Sequence, residues 1–378
     1  TMVAAYAFEN ADLVTKLVIP NSVTTIAKYA LRSMSSLQEL SIPFAGVSRT
    51  ATELDGLFGQ VFGDTEYEGS YEARQQFGYS GGEYQFNYVP STLLKVTLTD
   101  TISIPAGAFS SIWKLREIIL PEGLQIIGSH AFKSTINLGS ILFPEGLKTI
   151  EYNAFHDSGL SAVVIPNSVE SIGGSAFAGM DHLQSFTFEK GSVLQSIGAE
   201  AFSYSKKLRS FVIPSTVTSI GMLAFRHCDA LTSISFEPGS MLTVIGHGAF
   251  SYLFAITSFT IPRGVTVIED SAFRSCSLLQ TIIFEEGSQL TSIGDLAFES
   301  TALRELSIPS NVVSIGRSAF SNITEFESIH IPSSVSAIDS DAFRGDSNLV
   351  IYAASYSMPI GWEHDWNSEN LRVIWGSR

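Results

Sequence analysis

Apolar residues recur along this chain with a period of about 23 residues. The dipeptide Ala-Phe marks each repeat, and its phenylalanine returns at intervals of 22, 23 or 25 residues. Counting back from each phenylalanine, apolar residues fall at positions −5, −8, −12, −14 and −17, as between Leu208 and Phe225. We predict that these phenylalanines form the core of the repeats; they are Phe109, Phe132, Phe155, Phe177, Phe202, Phe225, Phe250, Phe273, Phe298, Phe320 and Phe343.

Each repeat predicts two extended segments. The first reads Leu-x-x-Leu-x-Ile, with apolar positions two apart as in a strand, and proline ends it because proline offers no N–H to a ladder. The second reads Val-x-x-Ile-Gly and leads into a short helical turn at Ala-Phe. One repeat cannot bury its own apolar face, so repeats must stack. The pattern therefore predicts an α/β solenoid of 13–14 rungs, each with a strand, a second extended segment and a short helical turn.

Composition narrows the classes of function. The chain is 45% hydrophobic and 16% charged, with a net charge of −15 and a pI near 4.9. Nucleic acid is not an expected partner, because no cluster of Lys or Arg forms the basic surface that phosphates require. No run of 18 apolar residues exists, so we expect no membrane insertion. The first residues lack a signal peptide, so an exported protein would contain this chain as a mature or truncated piece.

The repeat pattern L-x-x-I-x-I-P-x-x-V-x-x-I-G-x-x-A-F-x-x-C-x-x-L resembles the BspA-like family of leucine-rich repeats, found mainly in bacterial surface proteins. The resemblance covers nearly the whole chain. It implies a leucine-rich-repeat superhelix that is secreted or attached to the cell surface, and some family members are adhesins for host matrix proteins such as fibronectin and fibrinogen. No motif in the repeat itself encodes that activity.

The resemblance favours a monomeric, extracellular interaction module. It would bind a protein or glycan on a host or neighbouring cell, without catalytic residues, cofactors or metals. The alternative is a structural spacer that displays another part of a larger surface protein. An enzyme is disfavoured because no acid, base, nucleophile or ligand set converges in the sequence.

Two segments depart from the repeat. Residues 44–92 interrupt the predicted solenoid of residues 1–349 with Gly, Ser and aromatic residues, and long insertions in solenoids are often functional. A packing role is an equal alternative, and deletion of residues 50–88 is expected to leave the solenoid folded. Residues 350–378 contain three tryptophans and predict a C-terminal cap. The possible ligand contacts in the insertion are Tyr67, Tyr71, Tyr79, Tyr84, Phe86 and Tyr88.

Several motifs suggest chemistry but lack its context. Residues 78–82 read Gly-Tyr-Ser-Gly-Gly and fit the G-x-S-x-G nucleophile elbow, which needs a preceding strand and a following helix that the flanks do not predict. The seven histidines occupy different repeat columns or the cap. His227 and His247 lie in adjacent repeats, and we expect both to be solvated surface residues rather than metal ligands.

Two further motifs share one repeat column, three residues after the marker phenylalanine. Cys228 and Cys276 fall there, which predicts buried apolar packing, and their separation by two rungs argues against a disulfide. Asp346 falls in the same column and belongs to an Arg-Gly-Asp tripeptide, the integrin-recognition sequence. Its predicted partial burial argues against that recognition.

The outward positions of the first extended segments form a hydroxyl-rich ribbon. Examples are Ser185, Thr187, Ser258 and Thr260. This ribbon could hold an extended protein or a glycan, although no aromatic platform for sugar stacking is predicted on it. Polar side chains that are simply compatible with strands explain it equally well.

Overall fold

The fold is described from a computed structural model, which defines residues 1–77 and 83–377. The chain forms two compact units, residues 1–194 and residues 195–378. Each unit is a β-solenoid in which the regular turns contribute two short parallel strands. These strands stack into a first ladder, built from the Leu-x-x-Leu-x-Ile segments, and a second ladder, built from the Val-x-x-Ile-Gly segments.

In unit 1 both ladders are interrupted. The second ladder contains β1 (Met2–Val3), β3 (Thr25–Ile26), β8 (Ser103–Ile104), β10 (Ile126–Ile127), β11 (Thr149–Ile150) and β13 (Ser171–Ile172). The first ladder contains β2 (Lys16–Val18), β4 (Glu39–Ile42), β7 (Lys95–Leu98), β9 (Glu117–Ile119), β12 (Ala162–Ile165) and β14 (Ser185–Phe188). Between β4 and β7 lie the helix α1 (Glu53–Gly56), a 3₁₀ turn (Phe58–Val61), and an antiparallel hairpin of β5 (Ser70–Phe77) and β6 (Glu83–Pro90).

In unit 2 the second ladder is continuous over eight strands. They are β15 (Ser196–Ile197), β17 (Ser219–Ile220), β19 (Val244–Ile245), β21 (Val267–Ile268), β23 (Ser292–Ile293), β25 (Ser314–Ile315), β27 (Ala337–Ile338) and β29 (Gly361–Trp362). The first ladder contains β16 (Ser210–Ile213), β18 (Ser233–Phe236), β20 (Ser258–Ile261), β22 (Thr281–Phe284), β24 (Glu305–Ser307), β26 (Ser328–Ile331), β28 (Val350–Ala353) and β30 (Arg372–Trp375).

The marker phenylalanines stack face to face inside each unit. In unit 1 the rings of Phe109 and Phe132 lie 5.3 Å apart and nearly parallel. In unit 2 the rings of Phe273 and Phe298 have the same 5.3 Å separation. All the marker phenylalanines from Phe109 to Phe343 are buried. Because strands in a ladder are about 4.8 Å apart, one ring per turn fits the spacing of the layers.

The prediction of a short helical turn at Ala-Phe is wrong, since those residues form successive tight turns instead. Residues two before and two after the marker phenylalanine have positive φ, as at His130 (61°) and Ser134 (57°), which excludes a continuous α-helix. Alternate amides reach the next turn: the Phe132 N–H donates to the Ala154 carbonyl at 2.7 Å. The Ala-Phe turns therefore hydrogen-bond from one turn to the next, as the two strand ladders do.

The part of the chain that the structure describes forms about 16 turns, rather than the predicted 13–14. Two segments that lack the Ala-Phe marker also form turns. Residues 57–63 insert between the turns of Leu31 and Phe109, and Trp366 takes the place of the marker phenylalanine in the last turn, with its ring 6.0 Å from Phe343. The repeat count did not include these turns, because they lack the Ala-Phe dipeptide or are spaced differently from the other repeats.

At the C-terminal end of unit 2, three indoles pack together. Trp362 and Trp366 are buried with ring centroids 4.6 Å apart, and Trp375 lies 5.7 Å from Trp362. The Trp362 indole N–H donates to the Val335 carbonyl at 3.1 Å. The assignment of residues 350–378 as a cap stays a prediction.

Candidate functional site

The inserted segment of unit 1 is rooted in the solenoid core. The Leu31 N–H donates to the Val61 carbonyl, and the Phe58 N–H donates to the Ala108 carbonyl, both at 2.8 Å. The Phe58 ring is buried 4.8 Å from Phe109, at the head of the phenylalanine stack. Deletion of residues 50–88 would therefore remove a turn of the core, contrary to the expectation that the solenoid would stay folded without them.

Buried amides fix the hairpin on this root. The Gln75 side-chain oxygen accepts hydrogen bonds from the Gly59 N–H at 2.9 Å and from the Asn87 amide at 3.0 Å. The Gln75 amide nitrogen donates to the Ala108 carbonyl at 2.6 Å. Gln75 and Asn87 are fully buried, so loss of either side chain would leave buried polar groups without a partner. The inward face of β5 and β6 is consequently held rigidly.

The outward face of the hairpin exposes a cation and two aromatic rings. Tyr84 is 36% exposed and Phe86 is 46% exposed, and the Arg74 guanidinium lies 3.8 Å from the centre of the Tyr84 ring. Tyr84 and Phe86 share a face because they are two residues apart on one strand, and Arg74 is paired directly opposite Phe86. We call Arg74, Tyr84 and Phe86 the hairpin face.

The other predicted contact residues are distributed differently. Tyr88 is half-buried beside the hairpin face and donates its hydroxyl to Glu72 at 3.2 Å. Tyr67 and Tyr71 have buried hydroxyls, and burial raises the pKa of both above the ordinary tyrosine value. Tyr71 packs edge-on against Trp113 at 4.9 Å, which places it between hairpin and repeats. Tyr79 and the G-x-S-x-G sequence of residues 78–82 lie outside the described residues.

Unit 2 carries an aromatic stack that the sequence analysis did not identify. The His227 ring lies between Tyr204 at 4.9 Å and Tyr252 at 4.6 Å, with Arg226 beside both tyrosine rings. His227 is therefore partly covered by its neighbours rather than freely solvated as expected. The three stacked residues each follow a marker phenylalanine by two positions, so inspection of that column could have found them.

The hydroxyl-rich ribbon in unit 2 also carries aromatic side chains that the sequence analysis did not predict. His330 stacks on Tyr352 at 4.7 Å on the outward side of β26 and β28, so an aromatic pair is present where none was predicted. A groove of about 410 Å³ lies between β22 and β24, which do not pair with each other. Its lining contains Thr281, Glu305 and Ser307.

The Arg-Gly-Asp tripeptide does not present its carboxylate to solvent. Asp346 is 1% exposed, and its Oδ1 accepts a hydrogen bond from the Ile323 N–H at 2.6 Å. Burial raises the pKa of Asp346 to about 8, so the carboxyl is largely neutral at pH 7. Because the Asp346 side chain is buried in unit 2, it is not available to an integrin.

The cysteines and the buried histidine have structural partners. Cys228 and Cys276 are buried free thiols whose Sγ atoms lie 3.1 and 3.0 Å from the Phe202 and Phe250 carbonyls. Burial raises the pKa of Cys276 to about 12, so the thiol stays protonated. His130 is buried with its Nε2 3.1 Å from the Asn153 amide, and burial lowers the pKa of His130 to about 4.

Within the part of the chain that the structure describes, one group has ligand atoms close enough for a metal ion. It is Glu363, His364 and Asp365, with ligand atoms within 4.8 Å of one another, and His364 is 91% exposed. Such an exposed group on a turn offers no enclosed coordination site. Across residues 1–77 and 83–377, no helix has the length and apolar character needed to cross a membrane.

Comparison with solved structures finds other leucine-rich repeat proteins among the matches. A leucine-rich repeat protein from Bacteroides ovatus is 20% identical, with a TM-score of 0.48, over 82% of this chain and 99% of the other. A leucine rich cell surface protein from Faecalibacterium prausnitzii is 25% identical, with a TM-score of 0.44, over 73% and 81%. The pneumococcal vaccine antigen PcpA is 20% identical, with a TM-score of 0.48, over 96% and 86%.

Comparison with curated proteins finds no match to the sequence. The family described as BspA type leucine rich repeat region matches in six copies, over residues 1–51, 101–232, 195–316 and 243–358. These matches cover most of the chain and leave out residues 52–100, which contain most of the inserted segment, and the last twenty residues. The leucine-rich-repeat solenoid predicted from the sequence is confirmed, and the chain belongs to the BspA type leucine-rich-repeat family.

Proposed function

We propose that the protein is an adhesin-type interaction module, secreted or held at the cell surface, that binds a protein or glycan of a host or neighbouring cell. Solenoids of this family serve as interaction scaffolds, because their stacked turns offer a long surface for side chains without disturbing the core. The family resemblance supports the surface location. The hairpin face is the site that we assign to the interaction.

One observation supports this assignment. The hairpin exposes two aromatic rings, and its inward face is held on the solenoid core by the hydrogen bonds of Gln75 and Asn87. Aromatic and arginine side chains are over-represented among residues that dominate binding energy, since they bury a large area at a small entropic cost. Arg74 packs on Tyr84, which orders both side chains before a partner arrives. A preordered surface loses less entropy on binding.

Binding to immobilised fibronectin, fibrinogen and a glycan array tests the proposal. We expect that a Tyr84→Ala and Phe86→Ala double variant binds about tenfold or more weakly than the natural chain, because two central aromatic contacts are lost. The matched control is Tyr356→Ala, which removes an aromatic side chain that is 90% exposed in unit 2. We expect it to bind as the natural chain does.

Equal binding by the double variant and the natural chain would move the interaction away from the hairpin face. Failure of the natural chain to bind any of these surfaces would instead support a display spacer. Circular dichroism melts of each variant show whether a loss of binding reflects a loss of fold, which we do not expect for exposed side chains.

A further inference from the structure

A second groove lies in unit 1 at the foot of the hairpin. It has a volume of about 540 Å³, and ligand pockets usually hold roughly 300–1,000 Å³. Ser91 and Thr92, which directly follow β6, form one side of the groove. The other lining residues come from the starts of neighbouring turns and are Gln38, Leu94, Lys114, Arg116 and Asn137.

The charge of this groove is opposite to that of the chain. Lys114 and Arg116 line it, no carboxylate does, and the chain as a whole carries a net charge of −15. Among residues 1–77 and 83–377, neither cation forms an ion pair with an acidic side chain. The acidic residues that follow Gln38 and Arg116 in the sequence form ion pairs with other lysines. Glu39 pairs with Lys16, and Glu117 pairs with Lys95.

The cations are placed by their neighbours. The Lys114 ammonium lies 4.4 Å from the centre of the Trp113 ring, and Trp113 is held by Tyr71 of the hairpin. Arg116 is exposed, and its backbone N–H donates to the Leu94 carbonyl at 2.8 Å. Asn137 donates its amide to the Trp113 carbonyl at 2.6 Å, which leaves its side-chain oxygen to accept a hydrogen bond from a ligand.

The backbone is paired where the turns of Gln38, Leu94 and Arg116 meet at the floor of the groove. The Gln38 carbonyl accepts from the N–H groups of Leu94 at 3.0 Å and Lys95 at 3.1 Å. The Leu94 carbonyl accepts in the same way from the next turn. A peptide could not add a strand between these turns, because that mode of recognition needs unpaired backbone groups. Recognition between them therefore uses side chains.

We propose that this groove binds an acidic saccharide, with its carboxylate or sulfate group at Lys114 and Arg116. An arginine fork and an ammonium suit the planar or tetrahedral oxygens of such a group. The neutral amides and hydroxyls of Gln38, Ser91 and Asn137 supply both donors and acceptors, which sugar hydroxyls require. The groove is separate from the hairpin face and would bind its ligand whether or not that face has a partner.

Calorimetric titration with defined saccharides tests this inference. The probes are 3′-sialyllactose for a carboxylate, a sulfated heparin disaccharide for a sulfate, and lactose as the neutral control. We expect at least one acidic probe to bind with a Kd of about 1 mM or tighter, and lactose to bind at least about tenfold more weakly. Which acidic probe binds identifies the anionic group.

Trp113 reports the location of binding. It is the one tryptophan in residues 1–194, and the Lys114 ammonium lies over its ring. An anion that draws the ammonium away should change the fluorescence of Trp113. We expect the Trp113→Phe variant to lose this signal.

Substitutions that remove the positive charges provide the decisive comparison. We expect Lys114→Gln with Arg116→Gln to weaken binding by about tenfold or more, since two charge-assisted contacts are lost. Arg209→Gln is the matched control, because Arg209 is an exposed arginine in the same repeat column, sixteen residues before a marker phenylalanine. It should bind as the natural chain does, and so should the hairpin-face double variant.

The inference is overturned if neither acidic probe binds at about 10 mM, if lactose binds equally well, or if the Lys114 and Arg116 variants bind unchanged. Binding of an aspartate-rich peptide in place of the saccharides would also overturn it and would assign the groove to an acidic protein segment. If the double variant melts at a lower temperature, the single Arg116→Gln variant gives the same test at an exposed position.

Discussion

Single residues in this protein are best understood by their column in the repeat. The column three residues after the marker phenylalanine is buried, and it holds apolar side chains such as Ile112 and Leu253 as well as both cysteines. Asp346 occupies this column in the last regular turn. Its Oδ1 bonds to the Ile323 N–H, and its Oδ2 is buried among atoms that offer it no hydrogen bond within the described residues.

The position of Asp346 predicts a dependence of stability on pH. Because burial raises the pKa of Asp346 from 3.8 to about 8, the folded protein holds a proton that the unfolded chain releases. The free energy of unfolding is therefore highest below about pH 4 for this group and falls as pH rises towards 8, by at most about 1.4 kcal/mol per pH unit.

Asp346→Asn tests this effect, because asparagine mimics the protonated acid. We expect the melting temperature of the variant to exceed that of the natural chain by an amount that grows from pH 5 to pH 8 and is constant above. Thermal melts across this range provide the measurement. Parallel pH profiles for the two proteins would show that Asp346 is not the responsible group.

The sequence predicts the columns better than the contacts between them. Spacing alone indicated that Cys228, Cys276 and Asp346 are inward-facing, and the structure buries all three. The stack of Tyr204, His227 and Tyr252 was not predicted because the histidines were compared with one another and not with the tyrosines in the same column. Contacts in a solenoid join equivalent positions of successive turns, so a column has to be compared across turns.

At the scale of elements, periodicity predicted the strands but not the turn at Ala-Phe. The alternation of apolar residues is a direct signal of strands, and both extended segments are present. The turn contains residues at positive φ that are mostly not glycine, such as Leu223 at 57° and Leu296 at 58°. Left-handed conformations in such residues cost about 1–2 kcal/mol and are offset by bonds to the next turn, which local propensity does not report.

The inserted element contains both a buried part and an exposed part, whereas the sequence left packing and binding as alternatives for the whole segment. Its first part packs in the core through Phe58 and Phe62, and its hairpin carries the exposed hairpin face. The pattern of aromatic residues could not separate these roles, because both buried and exposed aromatics occur within the same segment. Burial of Gln75 and Asn87 depends on hydrogen bonds across the hairpin, which the sequence alone does not specify.

A comparison of two phenylalanines tests this division. Phe58→Ala should lower the free energy of unfolding by about 3–5 kcal/mol, because it opens a cavity beside Phe109. Phe86→Ala should change it by less than about 0.5 kcal/mol, since Phe86 is 46% exposed. Urea unfolding followed by circular dichroism provides both values. Equal losses for the two variants would contradict the assignment of residues 57–63 to the core.

At the scale of the whole molecule, the repeat determines the architecture. Each turn buries its apolar residues against neighbouring turns, so two compact units form from many copies of one short pattern. The core positions are therefore similar from turn to turn and do not distinguish one region from another. We therefore propose binding surfaces where the repeat is interrupted or where outward positions differ, and the hairpin face and the groove at the foot of the hairpin are the two candidates.

Successive turns are joined through their Ala-Phe segments as well as through the two strand ladders. Hydrogen exchange resolved to single amides by mass spectrometry measures this connection between turns. We expect the amides of Phe132, Phe225 and Phe273 to exchange as slowly as those of the strands, because each donates to the next turn at 2.7–2.8 Å. Exchange at these three amides as fast as in exposed loops would show that the Ala-Phe segments do not join successive turns.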